Sequence, residues 1–289
     1  MFNNTTTQTQ RHMQATTIDE VLSILEAIIE ESITTNNRAG YFAALYHKVT
    51  YQVKQGIAKG EFEDGTRMEQ LDVMFANRYL AAYEQWKNNI KPTGSWDIAF
   101  TTVAKRRALV LQHLLLGINA HINLDLGIAA VQSANGAPMP NIQKDFAAIN
   151  SIIASLTYEV MNEITRVSPL LSLMGLHATN YNAIIIQFSI ANARDGAWCF
   201  AEDLYPKQGE AFTNCITARD KTITQLAEGL INAKGILRFT LWLIHLFEWK
   251  RPSRIIQALY TYKKKDFSKT DIEANVKVVA NKNVVSQPA

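Results

Sequence analysis

Leu115-Leu116-Gly117-Ile118-Asn119-Ala120-His121-Ile122-Asn123-Leu124-Asp125-Leu126 is the stretch that decides the fold. Set on a helical wheel at about 100° per residue, with its neighbours from Leu109 to Ala130, it shows no solvent side. Leu115, Ile118, Ile122 and Leu126 fill one flank and Leu116, Ala120 and Leu124 the other. Between the flanks run two polar stripes. One is His113, Gly117, His121 and Asp125; the other, roughly opposite, is Gln112, Asn119 and Asn123. A helix apolar on both flanks belongs in an interior, so its polar groups are carried inside with it. Each buried polar group left without a partner costs about 1–3 kcal/mol, so each is expected to have one: a side chain, water, a metal or a ligand.

Outward from this helix the chain reads as helices on both sides. Thr17-Ile18-Asp19-Glu20 has the pattern of a capping box, in which a hydroxyl and a carboxylate satisfy orphan N–H groups. Val21, Leu22, Leu25, Ile28 and Ile29 follow at helical spacing. Further helices are predicted over about 40–57, 67–86, 142–166, 182–204, 210–232, 236–249 and 253–262, with one long helical stretch over 96–132. Period-two segments bounded by hairpin turns are lacking. The prediction is an all-α, single-domain array of roughly eight to ten helices around a buried central helix. Residues 1–15 are expected to be a disordered N-terminus, 16–262 the domain, and 263–289 a polar, mobile tail.

Composition narrows the function classes. Hydrophobic residues make up 47% of the 289 residues and charged residues 19%, enough apolar material for helices packed on several sides. The net charge is only +3, and its densest cluster, Lys263-Lys264-Lys265, sits in the polar tail. No nucleic-acid partner is expected, because such proteins gather cations on one face. Cys199 and Cys215 lack zinc-ligand spacing and are read as reduced thiols. Met1 to Gln14 lacks an apolar core of the kind a signal peptide needs. No apolar run is read as approaching the ~20 residues of a transmembrane span. The nearest, Ile236 to Trp249, is interrupted by Arg238, His245 and Glu248. A cytoplasmic location is the resulting expectation. No Gly-rich dinucleotide or phosphate loop is present, so no nucleotide cofactor is expected.

His121 and Asp125, four residues apart, can converge on one point. That spacing suits a catalytic His–Asp pair, a divalent metal held by both, or a structural hydrogen bond. Partners are sought on the helix that carries Gln187, Arg194 and Trp198 on one stripe. Arg194 could neutralise Asp125, pair with its neighbour Asp195, or clamp an anionic ligand group. Asn119 and Asn123 could hold a carbonyl or hydroxyl, while Trp198, Trp96 and His177 could line the same cavity. These residues suggest acid–base chemistry on a small hydrophobic or amphipathic molecule, with metal-assisted hydrolysis as a variant. A non-enzymatic binding or scaffold protein with a structural polar network is the alternative. The segment Ile236 to Trp249, followed by Lys250, Arg251 and Arg254, is read as core, or else as a face for a partner or a membrane surface.

A wider set of segments carries a family resemblance. Tyr41-Phe42-Ala43-Ala44-Leu45-Tyr46, Gly60-Glu61-Phe62-Glu63-Asp64, Leu71-Asp72-Val73-Met74-Phe75-Ala76 and Ser95-Trp96-Asp97-Ile98-Ala99-Phe100 precede the central stretch. Asp145-Phe146, Ile149-Asn150 and Arg194-Asp195-Gly196-Ala197-Trp198 follow it. Together, from about Thr17 to Tyr262, they resemble a bacterial and fungal family of unknown function, the one numbered five-nine-nine-five. The resemblance implies that the polar central helix is the family's hallmark and implies no mechanism.

Overall fold

The computed structural model describes residues 13–171 and 190–261, which are helical with no strand among them. In chain order the helices are α1 (Ile18–Thr34), α2 (Gly40–Ala58), α3 (Gly65–Lys87), α4 (Gly94–Val103) and α5 (Val110–Ala134). They continue as α6 (Pro140–Val167), α7 (Ile190–Leu204), α8 (Gly209–Ile231), α9 (Gly235–Phe247) and α10 (Pro252–Tyr260). That makes ten among the described residues, counting α5 as one helix although a π turn, His121–Asp125, interrupts it. The all-α array around a buried central helix is therefore present.

α5 is that central helix. α2, α3, α4, α7 and α8 all pack on it. Its two glycines explain how closely they come. A Cβ at Gly117 would fall inside the Phe42 ring of α2. One at Gly127 would lie 2.9 Å from the carbonyl oxygen of Ala197 in α7. Both positions need a residue without a side chain.

The expectation of one helix over 96–132 is corrected. The chain turns between α4 and α5 at Lys105-Arg106-Arg107, where three consecutive cations are exposed to water. By length and composition α5 alone among the described helices passes the test for a bilayer span, but 83% of its most apolar window is buried, the burial of a core helix. The bent pair α8 and α9, turned by 69°, passes the same test only jointly.

The Thr17 hydroxyl accepts the N–H of Glu20 at 3.2 Å, as the capping box requires. The Glu20 carboxylate reaches the N–H of Thr16, at 2.6 Å, one residue earlier than expected. Ala15 is buried, with its N–H and C=O each held at 2.8 Å by the Asn77 amide. The rest of the predicted N-terminal disorder, the tail beyond 261, His177 and Gln187 lie outside the described residues.

Candidate functional site

The centre of α5 departs from α-helical geometry where the sequence carries its polar residues. In the π turn His121–Asp125 the Leu126 N–H bonds to the His121 carbonyl, one residue further back than an α-helix allows. Such single-turn insertions recur at functional sites. Within the turn the Asn123 carbonyl accepts from Arg219 Nε of α8 at 2.9 Å.

His121 and Asp125 are both buried, with His121 Nδ1 3.2 Å from Asp125 Oδ2. Trp96 of α4 donates its indole N–H to the same oxygen at 2.8 Å. Arg78 of α3 donates Nε to Oδ1 at 2.8 Å. Burial pushes the Asp125 carboxyl up, but Arg78, His121 and Trp96 together outweigh it and hold the group below its ordinary value. Asp125 is therefore ionised and can only accept. It follows that His121 donates through Nδ1. Burial lowers the imidazole's pKa more than Asp125 restores it, so the ring is neutral near pH 7. Nε2 then carries a lone pair, and it is buried with no hydrogen-bond partner.

Aromatic rings surround that nitrogen. Phe75 stacks on the imidazole at 3.5 Å between centroids and 8° between planes. Tyr46 meets it edge-on at 4.5 Å and Phe42 at 5.7 Å. Trp96 and Tyr79 complete the shell at 5.9 and 6.2 Å. Phe42, Tyr46 and Thr50 recur every four residues on α2; Asp72, Phe75 and Tyr79 are spaced three and four apart on α3. Helical periodicity therefore turns each set toward α5. The shell is poor in hydrogen-bond partners: the Tyr79 hydroxyl and Asp72 Oδ2 are also buried and unpaired, and the buried Tyr46 hydroxyl has only the Thr50 hydroxyl beside it. Burial, with Glu69 adding, pushes the Asp72 carboxyl up to about 8, so it is protonated at neutral pH. Tyr46, Asp72, Phe75, Ile122 and Leu126 help to line a cavity of about 20 Å³, room for one water molecule.

The other sequence-predicted residues lie elsewhere. Asn119 donates to the Ile223 carbonyl of α8 at 2.9 Å, and Asn123 donates to Asn119 Oδ1 at 2.9 Å. Both amides thus point at α8, away from the imidazole. Arg194 makes no contact with Asp125. It is fully buried, donates to the Phe146 carbonyl at 2.6 Å and lies 5.3 Å from the Phe146 ring. Trp198 is partly exposed, donates to Glu202 at 2.9 Å and packs on Phe146. Sequence reasoning missed Arg78, the residue that neutralises Asp125. It shares a face of α3 with Asp72 and Phe75 at a spacing of three, but that spacing carries no sign of its partner on α5. Trp96 was expected as a cavity wall and serves as a donor to Asp125.

Among the described residues no group of three or more His, Cys, Asp or Glu side chains is arranged to hold a metal ion. Asp125 already accepts from three donors, which favours a neutral His–carboxylate pair over a ligand pair.

An all-α fold whose central buried helix opens into a π turn, with a carboxylate-oriented histidine inside an aromatic shell, defines the class of protein. The chain belongs to the family described as a family of unknown function (DUF5995), whose model matches residues 18–233. That span includes every residue of the site, while α9 and α10 lie beyond it. Comparison with curated proteins and with solved structures gives no match.

Proposed function

We propose that the chain is an acid–base enzyme acting on a small, largely apolar or amphipathic molecule, with His121 as the proton-transfer group and Asp125 as its positioning residue. The observation that carries this reading is the unpartnered, buried Nε2, whose opposite ring nitrogen is tied to an ionised carboxylate. Nearly all buried polar atoms in folded proteins are paired, so an exception calls for an occupant. A neutral imidazole with Nδ1–H fixed can take a substrate proton at Nε2 and return it. Arg78 keeps Asp125 ionised, so the proton rests on the imidazole and the carboxylate stabilises the cation formed. The protonated Asp72 carboxyl, within the same ring-lined region, can donate a hydrogen bond to a substrate oxygen. Phe75 both stacks on His121 and borders the small cavity, and it is only partly buried. Its displacement would join the cavity to Nε2 from the surface.

Turnover of a panel of small esters, lactones and hydroxy- or keto-compounds tests the reading. A folded His121→Gln variant is expected to lose about 10²–10⁴-fold of any activity found. Asn123→Ala, altered on the α8 side, should keep it. The proposal fails if His121→Gln keeps full turnover, or if no panel member is turned over and none shifts the His121 ring ¹⁵N resonances.

A second reading, a scaffold with a purely structural network, draws support from the Asn119–Asn123 ladder, whose amides link α5 to α8. It differs in one outcome: His121→Phe, which keeps the ring stacking and removes the orphan nitrogen, would then be as stable as the parent or more so.

A further inference from the structure

The described residues expose six large apolar side chains, and five of them belong to α9. Ile236, Phe239, Trp242, Leu246 and Phe247 are each about half exposed or more, from 49 to 64%. Their spacing of three, three, four and one places them along one side of the helix. Thr240 and Ile244 lie on the other side and are buried. Phe239 and Trp242 touch, with ring centroids 5.6 Å apart, so the exposed side is a continuous apolar strip rather than scattered residues. A strip of this kind on a helix that is otherwise anchored marks an interaction surface.

Charge identifies the partner. Lys234 precedes the helix, Arg238 lies within it, and Lys250, Arg251 and Arg254 follow it, all exposed. The single acidic residue between Lys234 and Arg254 is Glu248, which is buried and bonded to Ser168 and to the Val110 N–H. The rim therefore carries positive charge with no exposed acid inside it. A second copy of the same face would bring cations onto cations, which disfavours self-association. Aromatic and aliphatic side chains flanked by Lys and Arg are instead the composition of a helix that lies in a lipid interface. At 13 residues α9 is about 20 Å long, too short to cross a hydrocarbon core of about 30 Å. It would lie flat, and the 69° bend from α8 allows it to do so.

We propose that α9 is a membrane-docking helix, through which the protein binds reversibly to a bilayer surface containing anionic phospholipid. Its apolar strip would enter the acyl boundary, and Lys234, Arg238, Arg251 and Arg254 would meet the headgroups. The test is co-sedimentation of the full chain with vesicles of phosphatidylcholine, with and without phosphatidylserine. Binding is expected to the phosphatidylserine vesicles, weakened by added salt and at least tenfold by Phe239→Ser with Trp242→Ser. Arg238→Glu with Arg251→Glu should remove the preference for anionic lipid while leaving the thermal melt unchanged. No vesicle binding, binding that neither pair of substitutions alters, or a concentration-dependent dimer abolished by the serine pair would each overturn the proposal.

Discussion

A carboxylate taken out of water is as stable as the donors that replace the water, and Asp125 has three. Arg78, Trp96 and His121 reach its two oxygens from three different helices. Removing the charge leaves Arg78 without its counter-ion and sets an amide N–H₂ against N–H donors. Asp125→Asn is therefore expected to destabilise by about 3 kcal/mol or more. Trp96→Phe, which removes one donor and keeps the ring, should cost about 1 kcal/mol. Urea unfolding of the two variants checks the order; equal losses would mean that the indole, rather than the ion pair, governs the carboxylate. His121 is legible at this scale from its residue type and spacing. Arg78 is not, because a single arginine 47 positions away offers no local pattern that points to Asp125.

Helix ends and the π turn set the cost of holding α5 in place. Gln112 accepts the Leu109 N–H at 3.0 Å, and Glu248, from the end of α9, accepts the Val110 N–H at 3.1 Å. In the middle, Arg219 donates to the Asn123 carbonyl within the π turn and reaches the Gly196 carbonyl at 3.2 Å. The next residue of α8, Asp220, accepts the N–H groups of Gly94 and Ser95 at 2.7 and 3.0 Å, capping α4 from another helix. The Ser95 hydroxyl donates to the same carboxylate at 2.7 Å. Arg219→Met is expected to cost about 1–3 kcal/mol, since it removes a charged donor from two carbonyls. Asp220→Ala should cost about 1–2 kcal/mol. Amide hydrogen exchange separates them: the first should raise exchange around Asn123, the second at the start of α4, and exchange at both sites in both variants would count against local roles.

The whole molecule combines buried acids and buried bases whose shifts oppose one another. Burial first, with Glu69 adding, raises Asp72 to about 8. Burial raises Glu248 to about 7 against the bonds from Ser168 and Val110. Both are protonated in the folded chain at pH values where the unfolded chain has released the proton. Their contribution is thus present below about pH 4 and lost as pH rises, through about 7 for Glu248 and about 8 for Asp72. The histidines act in the other direction. Burial pushes His113 down to about 3 and lowers His47 and His121 as well. Neutral when folded, they cost stability as pH falls below about 6.5, where the unfolded chain takes up protons. Thermal melts from pH 5 to 8.5 should show a maximum near pH 6–6.5 and a decline toward pH 8. Asp72→Asn, an isosteric stand-in for the protonated carboxyl, should flatten the alkaline decline. A profile rising steadily to pH 8 would contradict these assignments.

Periodicity alone determined that this chain is helical, that α5 is buried, and that its polar residues enter the interior with it. These are consequences of residues one or two turns apart, which the order of the chain states directly. Which donors meet Asp125, which way Asn119 and Asn123 point, and that Arg194 binds the Phe146 carbonyl were decided only when separate helices packed. The choice among arginines was a matter of three-dimensional distance: an ion pair forms with the charge that arrives within about 3 Å, whatever its place in the chain. The apolar strip of α9 has the same origin. Its hydrophobicity is written in the sequence, but whether a face is covered depends on where the neighbouring helices come to rest.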